Sequence, residues 1–323
     1  MLSFIMSLEF LLCITLCSPA MYFVLNCLVP LILGEQNLKK KYKAQWAVVT
    51  GSSSGIGKEL ARKLLFQGLD VILIARDEPI FEDTVGELKA LFPERQVLKV
   101  AANLSDESGK WMEGITKTVG DKKVQVIFLN AGYILTGMFE SNTVGAQLAN
   151  LHCNLTSNIY LCHFFYSRLL AAGDKGCIVF TSSSASYIPN PFAVMYGTTK
   201  AAVSAFAASL AVEARARGIH VHAIHPSPVN SRFSTGGGNQ IKVTKIEAMD
   251  QFYKFASGPE ALPTKFLRHI GRGAVVADIG GVSMMLRMVV HLLGYNLMAF
   301  ATAVCAPFMP DYKKGIADSA KKS

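Results

Sequence analysis

Residues Trp46–Gly57, WAVVTGSSSGIG, constrain this chain more than any other stretch. Apolar residues from Trp46 to Val49 run straight into Thr50-Gly51, and serines Ser52, Ser53 and Ser54 lead on to Gly55-Ile56-Gly57. The pattern predicts a buried strand, a glycine turn and a helix start. Glycine lets a backbone approach a pyrophosphate with no Cβ in the way. The amide N–H groups of the helix's first turn then face the negative charge. From Lys58 the helical spacing of Leu60, Leu64 and Leu65 is clear, and Gly68 is a stop. A glycine cluster alone also fits an ordinary tight turn, so the rest of the chain must decide.

The rest continues the alternation. Apolar runs of strand length occur at Asp70–Ala75, Gln96–Ala101, Val124–Leu129, Cys177–Ser182, Ile219–His225 and Ala274–Ile279. A helix is predicted over Phe81–Phe92 and a long alanine-rich one over Lys200–Ala216. Repeated βα units with apolar strands predict a Rossmann-type, doubly wound parallel sheet of about seven strands, covered on both faces. Such a sheet binds ligands beyond the carboxyl ends of its strands. Thr235–Gly238, TGGG, is expected to be a mobile loop.

The ends are different. Phe10–Leu33 carries no charge over 24 positions, enough to span a bilayer as a helix, although Pro19, Asn26 and Pro30 weaken it. A cleaved signal peptide would need a basic leader, and Glu9 is the only charge ahead of the run. Lys39, Lys40, Lys41 and Lys43 follow and place the downstream domain on the cytoplasmic side. A second apolar stretch, Met288–Pro310, is uncharged apart from the titratable His291. It reads as a buried helix or as a membrane-dipping hairpin or interfacial helix over the substrate mouth. The net charge of +9 and mean hydropathy of +0.32 fit membrane contact. No basic stripe interleaved with aromatics points to nucleic acid. The expected organisation is an anchor over 1–38, an α/β domain over 39–279 and a membrane-associated apolar segment with a basic tail over 280–323.

Tyr196-Gly-Thr-Thr-Lys200 carries chemistry. On a helix, positions i and i+4 share a face. A nearby ammonium favours phenolate, which lets a tyrosine move a proton to or from a carbonyl oxygen near neutral pH. Ser183, 13 residues earlier, follows an apolar strand and can donate to the same oxygen. Ser182 and Ser184 are its alternatives.

Thr50–Gly57, Asn130-Ala131-Gly132, Ser183, and Tyr196 with Lys200 stand in the order and spacing of the short-chain dehydrogenase/reductase family, which the chain resembles over Lys43–Ile279. The resemblance implies that Tyr196 is the general acid, that Lys200 lowers its pKa and holds the nicotinamide ribose, and that Ser183 orients the carbonyl. It implies that Asn154 supports a proton-relay water. It assigns cofactor contacts to Thr50, Gly51, Ser53, Ser54, Gly55, Ile56, Gly57, Asn103, Leu104, Asn130, Ala131, Gly132, Tyr196, Lys200, Pro226, Val229 and Ser231. Enzymes of this fold that use NAD place a carboxylate at the end of the second strand. Here Ala75 and Arg76 stand there, which predicts NADPH, with Asp77 as a complicating neighbour. Leu129, Asn103 and Ser227 depart from the family pattern without touching the proton-transfer residues.

Among membrane-bound members, the anchor, lysines and WAVVTG opening are similar to very-long-chain 3-oxoacyl-CoA reductases and 17β-hydroxysteroid dehydrogenases. The C-terminal stretch is similar to 3-ketodihydrosphingosine reductases. The expectation is an endoplasmic reticulum enzyme, facing the cytosol, that reduces a lipophilic ketone; a homodimer is open. Two alternatives stand: a retinol or sterol dehydrogenase working oxidatively, and an NADPH-binding membrane or lipid-droplet scaffold without turnover. No metal site is expected: His220, His222 and His225 lack further ligands, and the cysteines Cys13, Cys17, Cys27, Cys153, Cys162, Cys177 and Cys305 lack CxxC spacing. Buried reduced thiols are expected instead. The glycosylation sequons at Asn103 and Asn154 fall where the fold would bury or use them.

Overall fold

A computed structural model describes residues 17–235 and 246–320. Seven strands form one sheet: β1 (Trp46–Thr50), β2 (Asp70–Ala75), β3 (Val97–Ala101), β4 (Val124–Leu129), β5 (Gly176–Thr181), β6 (Ile219–Pro226) and β7 (Val276–Ile279). Their spatial order is β3-β2-β1-β4-β5-β6-β7, every neighbour parallel. The order reverses between β1 and β4, and this is where a doubly wound sheet opens its ligand crevice. β1, β4 and β5 are buried at every position, as strands covered on both faces must be.

Two apolar cores follow from the two faces. One packs Leu60 and Leu64 of α3 (Gly55–Phe66) and Phe81 of α4 (Pro79–Leu91) against Val49 and Leu73, with α1 (Cys17–Leu33) and α2 (Leu38–Tyr42) nearby. The other packs Ile115 of α5 (Trp111–Val119) and Phe165 of the long helical run after β4 against Val48, Ile127 and Ile178. That run comprises α6 (Val144–Leu151), a π turn (His152–Thr156) and α7 (Ser157–Ala172). α8 (Val194–Arg215) completes this face through Val203 and Ala207.

Several boundaries differ from the sequence reading. α8 begins at Val194 rather than Lys200, so Tyr196 lies inside the helix. Gly197, Thr198 and Thr199 are weak helix formers, but Thr198 Oγ1 donates to the Val194 carbonyl at 2.9 Å and Thr199 Oγ1 to that of Tyr196 at 2.8 Å. α4 begins at Pro79, whose fixed φ suits the first helical turn. β5 ends at Thr181, one residue short of the expected Ser182, and β7 begins at Val276 rather than Ala274.

After β6 come α9 (Glu247–Tyr253) and α10 (Leu262–His269). Beyond β7, α11 (Gly281–Leu293) turns at Gly294 into α12 (Tyr295–Cys305), and α13 (Pro310–Ala320) follows. Among the described residues no single helix is long and apolar enough to cross a membrane; α11 and the helical segment from Tyr295 to Phe308 qualify only as a pair bent by 100°. Residues 10–16 of the N-terminal apolar run, and Gly236–Gly238 of the expected loop, lie outside the described residues.

The expectation of buried thiols holds only for some of the cysteines, and two of the lysines after the first apolar run have structural partners. Lys39 and Lys41 do not simply face outward: Lys39 Nζ donates to the Gly68 carbonyl at 2.7 Å, and Lys41 Nζ to the Ile270 carbonyl at 2.6 Å. They tie α2 to the domain, leaving Lys40 and Lys43 exposed. Of the cysteines, Cys153, Cys162 and Cys177 are buried and reduced, while the free Cys17 and Cys305 are exposed.

Candidate active site

The carboxyl ends of β1, β2, β4, β5 and β6 converge on a cleft of about 570 Å³. Gly51, Ser53, Ser54, Gly55 and Ile56 form one end, Arg76, Asn103 and Leu104 its flank, and Asn130, Ala131 and Gly132 its floor. Pro226, Val229 and Ser231 close the other wall, beside Ser183, Tyr196 and Lys200. Residues spread along the chain from β1 to β6 thus meet at one edge because the strands are parallel.

The glycine turn fits a nucleotide. Gly51 has φ +64° and Gly55 φ +57°, both in the left-handed region that favours glycine. A Cβ on Gly51 would stand 2.8 Å from the Ala131 Cα, and one on Gly57 would collide with the Gly51 carbonyl oxygen. Ser54, at the cap of α3, makes no side-chain cap hydrogen bond, so that end of the helix keeps amides for an anion. Thr50 and Gly57 do not line the cleft; they brace it. The Thr50 hydroxyl accepts from the amides of Asn130 and Ala131, each at 2.9 Å, and Asn130 Nδ2 donates back to the Thr50 carbonyl at 3.2 Å.

The residues expected to transfer the proton come from the end of β5 and from α8. Ser183 and Tyr196 line the cleft together. Burial pushes the Tyr196 phenol up and the Ser183 hydroxyl opposes that rise. Burial brings Lys200 itself down to about 8, which still leaves it mostly charged near neutrality. Its Nζ lies 5.6 Å from the Tyr196 ring centroid and donates to the Thr181 carbonyl at 2.8 Å.

Asn154 is fully buried in the π turn between α6 and α7, behind the cleft wall. π turns recur at functional sites because the extra residue redirects side chains. Asn154 Oδ1 accepts from the Tyr133 amide at 3.0 Å; Nδ2 donates to the Tyr133 carbonyl at 2.9 Å and lies 3.2 Å from Thr199 Oγ1. It therefore joins the loop after β4 to the helix carrying Tyr196 and Lys200. Its own carbonyl accepts from Asn158 Nδ2 at 2.7 Å.

At the second strand's end, Arg76 faces the cleft and pairs with Glu78 at 2.8 Å. Asp77 turns away, to Lys99 at 2.7 Å. Glu78 and Arg232, 3.9 Å apart, line the same cleft and were not singled out by the sequence pattern. Among the described residues, Thr181 Oγ1 is buried at the cleft without a hydrogen-bond partner. An orphaned hydroxyl beside a glycine cradle fits a bound polar ring.

The histidines are occupied structurally. His220 Nδ1 lies 2.9 Å from the Tyr42 hydroxyl, His222 Nε2 accepts from the Gly271 amide at 2.7 Å, and His225 meets Asp278 at 3.1 Å. Burial lowers His220 and His222 to about 4.

The short chain dehydrogenase family model matches residues 45–240, the stretch that builds this cleft up to β6 and the loop after it. The chain belongs to the short-chain dehydrogenases. It is an oxidoreductase of a family that uses NAD(P). It is 28% identical over 246 residues to a very-long-chain 3-oxoacyl-CoA reductase of Podospora anserina, covering 74% of this chain and 70% of that one. It is 27% identical over 220 residues to 17-beta-hydroxysteroid dehydrogenase type 3 of Mus musculus, covering 66% and 69%. In fold it matches a 7beta-hydroxysteroid dehydrogenase with a TM-score of 0.69 at 17% identity, over 82% of this chain and 99% of that one. A short-chain dehydrogenase from Sphingobium yanoikuyae in complex with NADPH matches with a TM-score of 0.62 at 24% identity, over 72% and 87%.

Proposed function

We propose that this dehydrogenase reduces a ketone on a lipophilic substrate, with NADPH as cofactor and Tyr196 as general acid. One observation carries the substrate class. Val282 and Leu286 of α11, Met298 and Thr302 of α12, and Met309 line the same cleft as Ser183 and Tyr196. An apolar chain laid along that wall gains about 0.8 kcal/mol per buried CH₂. The relatives' names, 3-oxoacyl-CoA reductase and hydroxysteroid dehydrogenase, support the same class.

NADPH supplies a hydride when bound. The glycine turn and the amides of α3 would hold its pyrophosphate, and Arg76 with Arg232 its 2′-phosphate. Ala75 brings no carboxylate there and Asp77 is turned outward, which supports NADPH over NADH. Ser183 donates to the ketone oxygen and fixes its place. Tyr196 releases its proton to that oxygen as the negative charge forms. Lys200 holds positive charge beside the phenolate left behind. Asn154 keeps α8 and the loop after β4 in register.

The membrane reading rests on exposed apolar side chains. Leu31, Ile32 and Leu33 of α1, and Leu292, Leu293 and Phe300 of α11 and α12, face outward. Lys313 and Lys314 follow in α13. We place these helices in the endoplasmic reticulum membrane, with the sheet on its cytosolic side and the substrate a 3-oxoacyl-CoA, a 3-ketosphinganine or a ketosteroid. The test is NADPH oxidation by the purified full-length protein in detergent with each ketone. Turnover of at least one supports the proposal. Reduction of none of the three, with a small soluble ketone reduced instead, would refute it.

A further inference from the structure

Asp278, near the end of β7, is a carboxylate with a fully buried side chain in which four parts of the fold meet. From α1, Tyr22 donates its hydroxyl to Oδ2 at 2.9 Å, and Asn26 brackets the residue's backbone, donating to its carbonyl at 2.8 Å and accepting from its amide at 3.0 Å. From α11, Arg287 Nε donates to Oδ2 at 2.9 Å. The remaining two contacts lead to the active site. Tyr187 closes the short 3₁₀ turn that follows Ser183, and its hydroxyl donates to Oδ1 at 3.1 Å. His225 Nδ1 lies 3.1 Å from the same oxygen, and its Nε2 lies 2.8 Å from Ser204 Oγ, which sits 2.8 Å from the Lys200 carbonyl.

A buried carboxylate satisfied by this many donors is costly to leave unpaired. Its partners are therefore held together as one unit. Tyr22 and Arg287 belong to the apolar helices that flank the sheet, Tyr187 to the turn after Ser183, and His225, on β6, reaches the helix of Lys200 through Ser204. We infer that Asp278 is a positioning residue through which α1 and α11 set the placement of Ser183 and Lys200. The terminal helices then do more than hold the enzyme near lipid. Their seating on the domain adjusts the geometry of proton transfer.

This inference rests on the reading of Ser183, Tyr196 and Lys200 as the proton-transfer set, so one of its two readouts needs no substrate. Tyr22→Phe removes a single hydroxyl at the rim of the network and leaves the core packing in place. In the full-length protein, amide hydrogen exchange of residues 184–187 and 200–204 is expected to rise about tenfold, the cost of one charge-assisted hydrogen bond. With whichever ketone the enzyme turns over, kcat falls while the KM for NADPH stays at its wild-type value. Asp278→Asn gives a larger change in the same direction; should it fail to fold, Tyr22→Phe carries the test alone. Wild-type exchange in both segments together with wild-type kcat in Tyr22→Phe would overturn the inference. Because exchange is read without substrate, a wrong choice of ketone leaves the exchange result standing.

Discussion

Lys200 is the residue whose chemistry and stability pull hardest against each other. It is buried with its Nζ bonded to the Thr181 carbonyl at 2.8 Å, and burial brings its pKa from 10.5 to about 8. Each unit of such a shift is worth about 1.4 kcal/mol, so the charged side chain costs the fold about 3 kcal/mol. The sign follows from proton counting. Between about pH 8 and 10.5 the unfolded chain binds more protons at this lysine than the folded one, so stability rises with pH through that window. Below about pH 8 the full cost is present. Lys200→Met removes the charge with little change of volume and forfeits one hydrogen bond worth about 1 kcal/mol. The variant should therefore gain about 2 kcal/mol at pH 7, which for a chain of 323 residues is roughly 3 °C in Tm. Turnover should be lost. Thermal unfolding by circular dichroism in one detergent, at pH 7 and pH 10, tests this. The gain should be present at pH 7 and largely gone at pH 10. A variant less stable than wild type at pH 7, or an equal difference at both pH values, would refute the argument.

Three further outcomes follow from named contacts. Tyr196→Phe should lower kcat by about 10²–10⁴-fold while fluorescence titration shows unchanged NADPH binding, because only the proton donor is gone. Arg76→Ala should weaken NADPH by about tenfold to a hundredfold and leave NADH unaffected, as one charge-assisted contact to a phosphate is removed; the ratio of the two KM values reports it. Gly57→Ala should cost about 1–3 kcal/mol in urea unfolding and abolish nucleotide binding, since the added Cβ meets the Gly51 carbonyl, which is backbone and cannot swing aside.

Much of the fold can be read from the chain because its signals are local. The strands β1, β2 and β4 are largely apolar runs, and the turn at Gly51–Gly57 admits few backbones. The trio Ser183, Tyr196 and Lys200 is legible by spacing and motif. What the sequence does not reveal is set by tertiary contacts. The start of α8 has no capping side chain to announce it, since Ala193 precedes it. The upward shift of Tyr196 depends on burial, which no spacing shows. Glu78 reads as one more surface acid until the structure sets it beside Arg76 and within 3.9 Å of Arg232, a residue 154 positions away. The meeting of Asp278 with Tyr22 spans 256 residues, so no pattern along the chain could announce it.

The central claim is that hydride from NADPH reaches a ketone carbon of a lipophilic substrate while Tyr196 protonates the oxygen. Incubation of the detergent-purified protein with deuterium-labelled NADPH and each of the three ketones, followed by mass spectrometry of the alcohol, tests it most directly. The account predicts one deuterium on the carbinol carbon of at least one product, with that labelled product forming about 10²–10⁴-fold more slowly in Tyr196→Phe. Unlabelled product, or labelling that persists at the wild-type rate in Tyr196→Phe, would contradict it.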